Sequence, residues 1–230
     1  MVPVATRRRR EVLGAVARHL LPRRPGHPLR VGIDGVCGSG KTTFAAELAA
    51  QVEALGRPAI VVDSDGFHHV RSRRRRRLDD PARGYYEDAY DFDALRDRVL
   101  VPLGPGGTRR FAVRVHDLES DAVITDANTT APVDAVMLFA ATFLQRAGLR
   151  DLWDEVIHLH VDLEVAQARG VERDAAALGG AVAATRAYEE RYLAACRLYV
   201  AEQDPAPRAS IVVDNTVLEA PRLLRPSDDI

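Results

Sequence analysis

At 230 residues, with 47% hydrophobic and 28% charged side chains, the chain has the size and balance of one folded domain and excludes wholesale disorder. A formal net charge of −1 gives no bulk attraction to nucleic acid or to a membrane surface. Two cysteines, Cys37 and Cys196, make neither a disulfide framework nor a metal-ligand pattern, and no apolar run approaches the roughly 20 residues that cross a bilayer; a soluble cytoplasmic protein is the expectation.

Val12, Leu13, Val16, Leu20 and Leu21 recur at helical spacing, so residues 1–28 read as an amphipathic helix and a linker broken by Pro22, Pro25, Gly26 and Pro28. The apolar run 29–33 predicts a buried strand, and 42–55, with Phe44, Leu48 and Val52 in step, a helix. A second strand is expected at 59–62, a polar loop from there to Tyr90, and a helix over 92–101. After the turn Gly104-Pro105-Gly106-Gly107, segments 110–116 and 122–125 partly alternate and read as a β-hairpin. Further buried strands are expected at 133–139, 155–161 and 210–213, with helices over 163–173 and 185–203 between them. Gly179-Gly180 marks the tip of a lid at about 173–190, and 221–230 reads as a loose tail. Strands alternating with helices make an α/β three-layer sandwich. Its five-stranded parallel sheet, β-hairpin insertion and helical lid fill residues 29–220, and ligands gather at the carboxyl ends of the strands.

Gly35-Val36-Cys37-Gly38-Ser39-Gly40-Lys41-Thr42 matches G-x-x-x-x-G-K-[ST] in full, after a strand and before a helix. In such a P-loop the backbone N–H groups turn inward around phosphate oxygens, and the helix adds the positive end of its dipole. Gly35, Gly38, Ser39, Gly40, Lys41, Thr42 and Thr43 are thus the triphosphate-binding candidates, with Lys41 reaching the β and γ phosphates and the Thr42 hydroxyl on Mg²⁺. Lys41 is the sole lysine among 32 basic residues. A compact ammonium fits where a broad guanidinium does not. Cys37 has two readings, a thiol activated by the helix N-terminus as a redox switch or a small residue tolerated in the loop. Asp65, at the end of the second strand, is placed where a kinase needs a base for the acceptor's hydroxyl proton; an aspartate satisfied by backbone N–H groups is the other reading.

The phosphate loop, the run Asp65-Gly66-Phe67-His68, the run Gly84-Tyr85-Tyr86-Glu87-Asp88-Ala89-Tyr90-Asp91 and the segment holding Arg169, Arg173 and Asp174 resemble the uridine kinase and phosphoribulokinase-like group. The likeness is greatest to uridine kinase-like proteins of high-GC bacteria. Leu103 to Gly107 and Val213-Asp214-Asn215-Thr216 extend it, in order, from about Arg30 to Thr216. The resemblance implies ATP- and Mg²⁺-dependent phosphorylation of a small hydroxyl-bearing metabolite, uridine or a related nucleoside first, pantothenate or a sugar phosphate behind. It implies that Asp65 is the catalytic base and touches the Mg²⁺ shell, that His68 lines the acceptor pocket, and that Asp88 or Glu87 holds sugar hydroxyls. Tyr85 and Tyr86 then stack on a base or simply pack. Arg169 and Arg173 neutralise charge on the transferred phosphoryl group, although Arg173 beside Asp174 also reads as a structural ion pair. Arg186 and Arg191 are further candidates for that role. Many relatives self-associate, so a homo-oligomer is also implied.

One departure stands out. Relatives carry Asp or Glu at the end of the third strand, where this chain has Ala140-Ala141-Thr142. Losing an outer-shell metal partner costs ~10–100-fold in metal affinity or activity. Three outcomes follow: a slow kinase with Asp65 and Asp34 supplying the acidic shell, a nucleotide-binding regulator without turnover, or a substitution introduced at Ala140. The arginine runs 7–10 and 73–77 raise an RNA-binding module as a third class of function. No aromatic residues interleave them, so the second run reads first as a mobile substrate-side loop and next as a solvated face.

Overall fold

Thr6 begins the first helix, its hydroxyl accepting from the Arg9 amide, in a computed structural model of the chain that describes residues 6–226. Helix α1 (Arg7–Leu20) buries Val12, Leu13, Val16 and Leu20 on one face, as their spacing predicts. Strand β1 (Leu29–Gly35) is buried along its whole length and leads through the phosphate loop into α2 (Lys41–Ala54). Strand β2 (Ala59–Val62) ends in a single 3₁₀ turn over Ser64–Phe67.

The stretch expected to be loop up to Tyr90 contains two helices, α3 (Arg71–Arg74) and α4 (Pro81–Asp88). Asp80 caps α4 by accepting from the Arg83 amide, with Pro81 in the first turn, the chemistry that starts a helix. Their surfaces are polar enough to hide the helical period. Helix α5 (Phe92–Leu95) runs into a π-turn over Arg96–Leu100. The hairpin pairs β3 (Arg110–Ala112) with β4 (Asn128–Thr130). Its return strand thus lies later than the expected 122–125, where only the His116–Val123 bridge forms, because three-residue strands are too short to show alternation.

Strands β5 (Val136–Ala140) and β6 (Glu155–His160) precede the helical segment α6 (Leu163–Asp174) and α7 (Ala181–Ala187), a π-turn over Tyr188–Tyr192, α8 (Leu193–Gln203) and α9 (Pro205–Arg208). The chain returns through β7 (Ile211–Asp214) and β8 (Arg222–Arg225). The sheet order is β2-β5-β1-β6-β7-β8. The first five strands are parallel as expected, and β8 adds a sixth, antiparallel to β7. That strand corrects the expectation of a loose tail up to Arg225. Leu223 packs on the core and Arg222 pairs with Asp214 at 2.7 Å. Residues 227–230 of the expected tail lie outside the described residues.

Along β5, Val136, Leu138 and Ala140 join the core under α1 and α2, while Met137 and Phe139 join Leu95, Val99, Phe111 and Trp153 on the opposite face. This two-sided burial is what makes the strands read as continuous apolar runs. A third cluster joins Cys37, Tyr86, Phe143, Cys196 and Tyr199, fastening the phosphate loop to α4 and α8. Among the described residues no helix is long and apolar enough to cross a membrane.

Candidate active site

Strand β1 lies between β5 and β6, so its carboxyl end delivers the phosphate loop to the centre of the sheet edge where open α/β folds bind ligands. Gly38 and Gly40 have φ of 81° and 87°. A Cβ on Gly38 would sit 2.1 Å from the Ala166 carbonyl oxygen of α6, so only glycine lets the loop and α6 approach this closely. The Asn215 amide donates to the Ser39 carbonyl at 2.8 Å and accepts from Arg9 at 3.0 Å. Both ends of the chain therefore brace the loop. Ser39 is fully buried behind its surface. Lys41 Nζ donates to the carbonyls of Gly35 and Val36 at 3.0 and 2.8 Å, and burial pulls its pKa below the ordinary value, opposed by Cys37, Cys196 and Asp34.

A cleft of about 690 Å³ opens over this loop. Gly38, Gly40, Lys41, Thr42 and Thr43 form one wall. Asp65, His68, Tyr85 and Tyr90 line the cleft as well. The helical segment contributes Arg173, Asp174, Tyr188, Arg191 and Tyr192.

Asp63, not Asp65, is the aspartate satisfied by backbone: its carboxylate accepts the Asp65 amide at 3.0 Å. That leaves the Asp65 carboxylate largely exposed in the cleft, 3.8 Å from His68 Nε2. His68 Nδ1 lies 3.0 Å from the Ala89 carbonyl oxygen, which can only accept, so Nδ1 carries a proton. The His68 bond lowers the Asp65 pKa, against burial and with help from the charges of His68 and Arg173.

The structure separates the remaining substrate candidates. Tyr85 lines the cleft, whereas Tyr86 is buried under the Arg146 guanidinium, 4.9 Å from its ring. Asp88 does not face the cleft. Its carboxylate, 2% exposed, takes ion pairs from Arg76 and Arg77 at 3.1 Å and from Arg73 at 3.6 Å. Glu87 is likewise held by Arg77 and Arg83. A buried carboxylate needs such partners, and the arginine run supplies them rather than forming a free basic loop.

Arg173 combines both of its readings: it lines the cleft and is chelated by Asp174 at 2.7 and 2.9 Å. Arg169 does not line it, and instead donates to the carbonyls of Asn215 and Thr216. Arg186 pairs with Glu190, while Arg191 faces the cleft over the rings of Tyr85 and Tyr192, at 5.4 and 5.3 Å. Sequence reasoning missed Arg74, Tyr188 and Tyr192 in the cleft wall. The last two had a signal, since they lie one helical turn apart flanking Arg191. The brace of Arg9 and Asn215 had none, being separated by 206 positions.

Residues 30–214 match the model of the phosphoribulokinase / uridine kinase family. The chain belongs to that family. It is 27% identical over 191 residues to a uridine kinase of Leuconostoc citreum (strain KM20), covering 81% of this chain and 87% of the relative. A possible uridine kinase from Bacillus stearothermophilus superposes with a TM-score of 0.69 at 21% identity, over 88% of this chain and 97% of that one. A candidate fructose transport system kinase from Silicibacter sp. TM1040 gives 0.68 at 28% identity, over 83% and 95%. The protein is accordingly a P-loop kinase of the phosphoribulokinase / uridine kinase family.

In this family member the end of β5 lies in the cleft. Ala140, opposite Ile33 in register, lines it together with Ala141 and Thr142. Asp34 does not reach the cleft beside it. It is fully buried beneath the loop, accepting from the Tyr199 hydroxyl at 2.6 Å and from Gln145 at 3.0 Å. Among the described residues, Asp65 and Asp174 are the carboxylates lining the cleft, and no group of three or more His, Cys, Asp or Glu is arranged to hold a metal. That donor set suits Mg²⁺ shared with a triphosphate, because this ion takes one or two carboxylates and fills its shell with phosphate oxygens and water.

Proposed function

We propose that this family member transfers the γ-phosphoryl group of ATP to a hydroxyl of a small metabolite, with uridine or a related nucleoside as the acceptor. The observation that carries this reading is the convergence of Lys41, Thr42, Asp65 and Arg173 on one cleft. In it the loop amides and Lys41 hold the triphosphate, and Thr42 and Asp65 are the protein ligands available to Mg²⁺. The bound ion would neutralise charge on the β and γ phosphates. Asp65, ionised at neutral pH as an ordinary aspartate is, accepts the acceptor's hydroxyl proton. Arg173 sets positive charge against the transferring group, and residues 173–190 act as the lid. Tyr85 and the tilted pair His68–Tyr90, with centroids 4.3 Å apart, offer an aromatic wall to a base.

A sugar acceptor is the second reading. It is favoured by the similarity to the fructose transport system kinase. ADP release with ATP and Mg²⁺, measured across uridine, cytidine, pentoses and fructose, separates the two. Asp65→Asn should lower acceptor-dependent turnover ~10²–10⁴-fold, the usual worth of a positioned base. ATP binding without acceptor-dependent ADP release from any of these compounds would overturn the reading in favour of a nucleotide-binding regulator.

A further inference from the structure

The chain's two cysteines are 159 positions apart, yet their sulfurs lie 3.8 Å from each other. Cys37 is inside the phosphate loop, and its backbone N–H points at Cys196 Sγ at 3.5 Å. Cys196 sits on α8 one turn before Tyr199, whose hydroxyl grips Asp34 at the end of β1. Helix α8 thus touches the strand and loop at two successive points. Tyr86, Phe143 and Tyr188 are buried in the same cluster as the pair.

Access to the two thiols differs. Cys37, although 9% exposed, lines the cleft, whereas Cys196 is 1% exposed and does not line it. An oxidant entering the cleft therefore meets Cys37 first, with Cys196 already in place behind it. The Cys196 thiol donates to Cys37 and draws its pKa below the ordinary value, against burial and with the help of Lys41. A thiol whose thiolate is stabilised by such a donor and a nearby ammonium is a nucleophile rather than an inert core residue.

We infer that Cys37 and Cys196 are a reversible thiol–disulfide pair that disables the phosphate loop when a hydroperoxide enters the cleft. The Cys37 thiolate attacks one peroxide oxygen, the O–O bond breaks, and the alcohol or water leaves with a proton. The sulfur is oxidised by two electrons to a sulfenic acid and the peroxide is reduced by two. Cys196 then attacks the Cys37 sulfur, the S–O bond breaks, and hydroxide departs as water with the Cys196 proton. A dithiol reductant reverses the bond by exchange. Bringing the sulfurs from 3.8 Å to bonding distance pulls the loop toward α8, so its amides leave the arc that faces the cleft. This last consequence rests on the loop's phosphate-binding role; the covalent step does not.

The test oxidises the full reduced chain with equimolar hydrogen peroxide, alkylates remaining thiols, and reads intact mass and peptide maps beside ADP affinity. Titratable thiols should fall from two to none in the monomer, with the Cys37 and Cys196 peptides joined. ADP affinity should drop about tenfold or more, the worth of one amide bond to a charged phosphate, and return with dithiothreitol. In Cys196→Ala, which also removes the thiol that donates to Cys37, a sulfenic acid should form more slowly but still be trapped on Cys37 by a dione reagent, with no internal link. Surviving thiols, a link between two copies, or an internal link that leaves ADP affinity intact would each overturn the inference. Reduced protein that forms the link but never binds ADP would instead sink the phosphate-binding role of the loop.

Discussion

Ala140 shows how much one side chain can carry. It stands at the strand end that opens into the cleft, 8% exposed, with Ala141 and Thr142 beside it. Ala140→Asp should raise turnover with ATP and Mg²⁺ by ~10–100-fold, the usual effect of an outer-shell metal partner; an unchanged rate would show that the missing carboxylate limits nothing. Asp65 is the second decisive residue. Its pKa is lowered chiefly by the His68 bond, so activity that needs the carboxylate ionised should persist as pH falls below ~3.9, the ordinary aspartate value, until the protein itself unfolds. His68→Asn removes both the bond and the charge, so the acid limb of the pH–rate profile should move to higher pH. A limb that stays in place would show that His68 does not tune the base.

At the scale of elements, α3 and α4 redirect what the local sequence suggests. The arginine run 73–77 sits where α3 and its following turn face the end of α4, and Asp88 is drawn inward to meet it. Asp88→Asn should cost about 1–3 kcal/mol of stability, the range for lost bonds to a buried charged group, seen as a lower midpoint in urea. The KM for the acceptor should not change. A raised KM at unchanged stability would return Asp88 to the acceptor. The same principle separates Tyr85 from Tyr86: adjacent residues on a helix point about 100° apart, so one lines the cleft while the other packs under Arg146.

The whole molecule is a sheet that holds the loop from behind, with the braces of Arg9, Asn215 and Tyr199 converging from both ends of the chain. A ligand that engages this loop stabilises the fold it depends on. ATP at ~100 times its Kd should add about 2.7 kcal/mol, several degrees of thermal midpoint at this size. Lys41→Met should remove most of that shift, and a midpoint indifferent to ATP in the parent chain would contradict triphosphate binding.

The sequence by itself determined the elements whose signals are local. The central strands β1 and β5 are apolar runs because they are buried along their length, and the phosphate loop is a contiguous motif with Lys41 as the chain's sole lysine. The placing of Asp65 beyond β2 was legible for the same reason. Only the tertiary structure decided which neighbours of these residues reach the cleft. Asp88, Asp34 and Arg169 carry suitable chemistry, but burial, hydrogen bonds and ion pairs with distant residues turn them to structural partners. It likewise added β8 at the sheet edge and joined Cys37 to Cys196 across 159 positions. Such contacts depend on long-range packing, and no local spacing in the chain encodes them.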